Sequence, residues 1–362
     1  MNINIKKTII RLYEITRVVL VTLIAEFRHQ FTRYRRGPNQ KVWDIDVVYL
    51  WSDPSDSEWS KKRLEVLSGE SRDDFCCIEH QTNSTSATLD ELKYSLRSLS
   101  KNLQGVRYIH IVVDGQTPEW LNINHPKIRI IEAKDIITNL EHYPNYNTQA
   151  IESYFFNIPE LSERFVYFND DFFLSRKTGI DEFFTSDGLI RVRLGRALSP
   201  KGKPTMEEEG DSAAHKNANK ILDEKFGKRA RLTVMHRPYA HNIKLLKKAE
   251  EDFPQAFEET RSSRFRSTKM VAIHSFLIPY SASFNQQADL LPPRLLEKDM
   301  YKWGDCSEFN RKVVERVRSF RGKGFCIQEE RGIMIPESEV LRFHEFMSQM
   351  YPEVSSFEKN YS

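Results

Sequence analysis

Short β-branched runs that end in acidic turns mark the first half of the chain. Asp44–Trp51 (DIDVVYLW) is almost continuously apolar, which predicts a strand buried on both faces, and Ser52-Asp53-Pro54-Ser55-Asp56 ends it abruptly. Val106–Val113 (VRYIHIVV) predicts a second strand, stopped by Asp114-Gly115. Lys127–Glu132 predicts a third, and Phe165–Phe168 (FVYF) a fourth that runs into Asn169-Asp170-Asp171. Between them the apolar period changes to that of a helix. Leu89, Leu92, Leu96 and Leu99 share one face, and Thr88-x-x-Glu91 has the spacing of a capping box, so the helix is expected to open there. Thr148–Asn157 predicts another helix. Strands alternating with helices imply an α/β fold with a mostly parallel sheet.

That pattern places the acids. Asp53, Asp114 and Asp170/Asp171 each follow the C-terminal end of a predicted strand, the edge where open α/β sheets bind ligands. Taken singly, Asp-Pro, Asp-Gly and Asn-Asp are turn formers. Together on one edge they call for a divalent cation such as Mg²⁺, held by carboxylates and substrate phosphates. Extended backbone would point Asp170 and Asp171 to opposite faces, so only one would reach a metal directly. The chain has no GxGxxG after a strand, no GxxxxGK[ST], no GxSxG and no HExxH. These absences disfavour dinucleotide, P-loop, serine-hydrolase and zincin chemistry.

Charge adds a second feature. Residues 1–40 hold eight Lys/Arg and two Glu, a net +6, whereas the whole chain is +3, leaving −3 on the other 322 residues. The body is therefore no basic nucleic-acid binder. Residues 8–27 are expected to form a helix, but its longest uncharged run is Val18 to Ala25, far short of the roughly 20 residues of a membrane span. The arm fits either a helix packed on protein or an amphipathic helix on an anionic membrane face, with Arg33, Arg35 and Arg36 supplying charge. Gly37-Pro38-Asn39 then marks a boundary. Length and composition suit a soluble globular protein. Four cysteines without a CxxC suit a reducing compartment.

The residues also resemble a known family. DVVYLWSDPSD (46–56) is similar to the first conserved region of Stealth proteins, which are sugar-1-phosphate transferases of bacterial capsules and of lysosomal-enzyme tagging. DELKYSLRSL (90–99), RYIHIVVDGQTPEWLN (107–122) and YNTQAIESYFFNIPELSERFVYFNDDFFL (146–174) resemble the second region. GDSAAHKNANKILDEKFGKR (210–229) and HRPY (236–239) resemble the third. The fourth region usually reads Cys-Leu-Asn-Asp. Here it is Cys326-Ile327-Gln328-Glu329-Glu330, with each functional side chain one methylene longer.

The resemblance implies a nucleotide-sugar-transferase-like, GT-A/Rossmann-like core with helical additions. It implies transfer of a hexose-1-phosphate from a UDP-sugar to a polysaccharide hydroxyl, forming a phosphodiester and releasing UMP. A glycosyltransferase releasing UDP, or a non-catalytic polysaccharide-assembly protein, are the alternatives. By the resemblance, Asp170 and Asp171 are metal ligands, with Glu329 as a further anchor for Mg²⁺ or Mn²⁺. Asp170, His236 and Arg266 are implied in catalysis, His236 as general base and Arg266 at the transferred phosphate. Asp53, Asp114, Asn147, Glu152 and Arg97 are implied around the donor, and Glu91 also matches. His215, His241 and His274 compete with His236 for the base.

The expected layout is an arm at 1–40, a catalytic domain at 41–335 with a mobile loop over 199–212, and a helical tail at 336–362. The expected setting is the bacterial cytoplasm, with the arm near the inner face of the membrane or the capsule-export machinery.

Overall fold

The structure, a computed structural model, describes residues 43–77, 89–293, 300–330 and 332–359. The basic arm therefore lies outside the described residues, as does Thr88. No described helix is long and apolar enough to cross a membrane.

The first half of the chain builds the frame. Strand β1 (Ile45–Leu50) leads into helix α1 (Ser57–Gly69) and then α2 (Glu91–Asn102). Strands β2 (Val106–Val113) and β3 (Ile128–Glu132) follow. The short helix α3 (Thr148–Glu152) precedes β4 (Arg164–Asn169) and β5 (Phe172–Leu174). The helix expected to open at Thr88 instead begins at Glu91. Its N-cap is Asp90, in the left-handed region with φ 54° and without a side-chain cap. The helix expected over 148–157 is α3 followed by a 3₁₀ turn at Phe155–Asn157.

The second half covers that frame. It comprises β6 (Ile190–Leu198), α4 (Gly210–Phe226), β7 (Leu232–Val234), β8 (Tyr239–Asn242), α5 (Ile243–Asp252) and α6 (Pro254–Arg261). Then come α7 (Ile278–Phe284), β9 (Ala288–Leu291), β10 (Met300–Trp303), α8 (Ser307–Ser319), β11 (Gly324–Glu329) and α9 (Glu337–Met350).

The central sheet has the order β3-β2-β1-β4-β8. Strands β1 to β4 are parallel, and β8 closes the edge antiparallel to β4. This is an α/β fold with a Rossmann-like, mostly parallel core. Strand β1 carries no alternation because both of its faces are covered. Val48, with Phe165 and Tyr167 of β4, faces the cluster under α4, α5 and α6. Val47 and Tyr49 face the cluster under α2. Two smaller sheets, β10-β11-β5 and β7-β6-β9, flank the core.

One polar residue sits inside β1. The fully buried Asp46 takes two bonds from Arg107 (2.9 and 2.7 Å) and one each from the backbone N–H of Tyr108 and of Ser162. Burial works to raise its carboxyl, but Arg107 and His110 overcome that and hold it well below the carboxylate range. It staples the N-terminal edge of the sheet and leaves the opposite edge for chemistry.

Candidate active site

Strand order sets the position of the site. From β1 the chain crosses to β2 on one side, and β4 returns on the other. The C-terminal ends of β1 and β4 therefore bound the switch point where such sheets bind ligands. A cavity of about 720 Å³ opens there. Its floor is Leu50, Ser52, Tyr167, Asn169, Asp170 and Asp171, and α3 contributes Thr148, Gln149 and Glu152. One wall is Asp211 and His215 of α4, together with Arg266. The other is Gly195 and Arg196 of β6, with His236, Tyr239 and Gln328.

Asp170 and Asp171 occupy the tight turn between β4 and β5 and face different partners. Asp171 Oδ2 accepts a 3.2 Å bond from the Cys326 thiol, and the ligand atoms of Asp171, His236 and Cys326 lie within 4.8 Å of one another. Asp170 belongs to an acid group with Glu91 and Glu329. Low-dielectric surroundings push Asp170 up to about 6, against the pull of the backbone N–H groups of its own turn. Glu91 is driven well above the usual range, first by the same surroundings and then by Glu329, Asp170 and Asp171. Glu91 and Asp170 thus resist joint ionisation, and carboxylate oxygens of this kind are ligands that suit Mg²⁺ or Mn²⁺.

His236 is held by its surroundings. Its Nδ1 lies 3.1 Å from the Tyr239 hydroxyl, and the Phe172 ring meets it edge-on at 4.8 Å. Arg266 donates to Asp211 Oδ2 at 3.3 Å, and Gln149 donates to Asp211 Oδ1 at 3.3 Å. His215 Nδ1 donates to the Asp211 carbonyl at 2.7 Å. Gly210 lets α4 pass this close: a Cβ there would lie 3.1 Å from Arg266 Cβ.

The expected donor residues part company. Glu152 lines the cavity. Asp53 and Asp114 stand on the same sheet edge but outside the cavity lining. Asp53 Oδ1 accepts from the Ser55 backbone N–H at 2.8 Å, the turn role that its sequence also allowed. Asp114 accepts from the Tyr143 hydroxyl at 2.8 Å. Asn147 is fully buried; it caps α3 and donates to the Ser263 carbonyl. Arg97, midway along α2, binds Glu358 and lines no part of the cavity. Of the competing histidines, His241 and His274 form a buried pair, with 3.2 Å between ring nitrogens. His274 also reaches the cavity wall.

The segment 199–212, expected as a loop, makes contacts toward its C-terminal end. Glu208 binds Lys216 and Ser212, the Cys77 backbone N–H donates to the Met206 carbonyl, and from Gly210 onward the chain is helical. Sequence reasoning did not place Glu91 with the acids. Its Glu type at the opening of an apolar-faced helix gave no sign that β11 would face it.

The fold and the acid-edged crevice define a Rossmann-like α/β protein with its site at the sheet switch point. Residues 86–192 match conserved region 2 of Stealth proteins, and residues 235–282 match conserved region 3. The chain belongs to the Stealth family. It is 33% identical over 328 residues to exopolysaccharide phosphotransferase SCO6023 of Streptomyces coelicolor, covering 89% of this chain and 53% of that protein. It is 34% identical to exopolysaccharide phosphotransferase SCO2594 of the same organism over 327 residues, 89% of this chain and 52% of that protein. It is 29% identical to exopolysaccharide phosphotransferase CpsY of Mycobacterium tuberculosis, over 88% of this chain and 58% of that protein. The chain thus spans about half the length of these curated relatives.

Proposed function

We propose that this chain transfers a hexose-1-phosphate from a UDP-sugar to a hydroxyl of an exopolysaccharide. The acceptor oxygen bonds to the phosphorus that carries the sugar, the P–O–P link breaks, and UMP leaves. The acceptor proton goes to His236. The observation that carries this reading is that one cavity holds the paired acids of the β4–β5 turn, a histidine and an arginine. Phosphoryl transfer asks for charge stabilisation and positioning rather than a covalent scaffold.

With Nδ1 turned to Tyr239, His236 would meet the acceptor through Nε2. Arg266, steadied by Asp211, offers a planar fork to equatorial phosphate oxygens. Asp170, Asp171 and Glu329, with Glu91 beside them, would hold Mg²⁺ or Mn²⁺, which supplies neutralising charge for a diphosphate. The names of the relatives support transfer to an exopolysaccharide. The +6 arm supports a further contact with an anionic membrane face or with an export partner, on the cytoplasmic side.

The test is product analysis with Mg²⁺, UDP-N-acetylglucosamine or related donors, and exopolysaccharide fragments. UMP together with a new phosphodiester signal in the phosphorus NMR spectrum is expected. Release of UDP instead means glycosyl transfer and overturns the reading. His236→Asn should lower kcat by about 10²- to 10⁴-fold with donor affinity nearly unchanged.

A further inference from the structure

Two residues one helical turn apart on α3 face the cavity with complementary needs. Gln149 donates its amide N–H to Asp211, which leaves its Oε1 as the free end. That oxygen is shut off from solvent and has no hydrogen-bond partner among the described residues. Glu152, three residues on, takes a 2.8 Å bond from the Tyr167 hydroxyl. Both line the cavity, and spacing i, i+3 puts them side by side.

No described lysine or arginine forms an ion pair with Glu152. The charges that face it at longer range are Asp211 and Arg266, of opposite sign and already bonded to each other. Arg261 of α6 reaches Ser153 next door but pairs with Glu250. His274, whose ring lies by the Glu152 backbone, is kept neutral because burial pulls it down to about 3. A carboxyl group in such surroundings keeps its proton. Desolvation raises Glu152 to about 8, in agreement with that reasoning.

We infer that Glu152, as an uncharged acid, and Gln149 together clamp one hydroxyl of the donor sugar. The hydroxyl oxygen accepts from the Glu152 O–H and its proton is donated to Gln149 Oε1. A neutral acid gives this recognition without placing a second negative charge beside the donor's diphosphate. The inference rests on the nucleotide-sugar reading above.

The experiment has two arms. Infrared difference spectra of the full chain, without substrate, compare wild type with Glu152→Gln at neutral pH. A carboxylic-acid carbonyl band lost in the variant is expected, and its absence from wild type overturns the inference whatever the substrate. The second arm compares UDP-N-acetylglucosamine with its monodeoxy analogues. Wild type should reject one analogue by about 100-fold or more in kcat/KM. Glu152→Gln should lower kcat/KM for the parent donor about five- to tenfold, and discriminate that analogue less. It should also lose the wild-type decline above pH about 8. Equal use of every analogue by wild type overturns the clamp. A band present with no transfer from any nucleotide sugar counts against the phosphotransferase reading and leaves the protonated acid standing.

Discussion

Arg97 and Glu358 stand 261 residues apart and meet in a two-pronged bond, Nε to Oε1 at 2.8 Å and Nη2 to Oε2 at 2.7 Å. The pair is nearly closed to solvent. Glu358 also bridges to Leu121, and the adjacent Phe357 packs in the cluster under α2. The pair therefore ties the C-terminal segment to the central sheet.

Breaking that tie should destabilise the fold without touching the chemistry. Arg97→Ala leaves the Glu358 carboxylate enclosed and unpaired, a loss of about 3 kcal/mol. Donor KM in the folded fraction should stay at the wild-type value. Urea unfolding of Arg97→Ala, Glu358→Ala and the double variant measures the coupling. Independent effects of the two substitutions would refute the tie. The pair also sets a pH dependence. Burial tends to raise Glu358, but Arg97 and Ser355 bring it below its usual range. Its contribution is thus present above pH about 4.5 and is lost as pH falls through the lowered value.

The acid group makes the opposite prediction. Glu91 is raised in the folded protein, so the folded state holds a proton that the unfolded state releases. Stability should therefore fall as pH rises above about 4.5, toward the raised value. In EDTA at pH 8, Glu91→Gln should melt at a higher temperature than wild type. In Mg²⁺ the wild type should gain more than the variant, because only it offers the fourth carboxylate. Melting curves in both buffers decide this. A variant less stable than wild type in EDTA would show that Glu91 is not crowded by its neighbours.

What could be read in advance follows from how local the cause was. Strands β1, β2 and β4 were visible because burial on both faces requires unbroken β-branched runs. Asp170 and Asp171 were visible because a turn after a central strand can only fall at the switch-point edge. The duties of Asn147, its cap on α3 and its bond to Ser263, were not legible because contacts to the backbone leave no mark beyond residue type. The pairing of Arg97 was not legible because its partner, Glu358, is at the other end of the chain. Glu91 was left out of the acid group because that group forms only once β11 lies beside the β4–β5 turn, a contact in which Cys326 meets Asp171 across 155 residues of sequence. The turn signal for Asp53 and the strand-edge signal were both present. The structure puts Asp53 on the right edge and gives its side chain to Ser55.

Arg266 permits the sharpest separation of charge from shape. Its guanidinium is partly open to the cavity, with one nitrogen on Asp211 at 3.3 Å. Asp211 in turn is bonded by Gln149, so the fork is aimed before substrate arrives. Lysine at this position keeps the charge but cannot present two parallel N–H groups to a phosphoryl oxygen pair. Arg266→Lys should therefore lose about 100-fold in kcat, in the range seen when a preorganised donor to the reacting group is removed. Asp211→Asn should lose less, about tenfold, because the fork survives but is no longer held in line. Kinetics of UMP release for both variants, with donor affinity measured separately, check the order. If Arg266→Lys works nearly as well as wild type while Arg266→Ala does not, the residue acts as a point charge and the bidentate role is wrong. If Asp211→Asn is the more damaging of the two, the aspartate itself meets the substrate and the pair must be read the other way round.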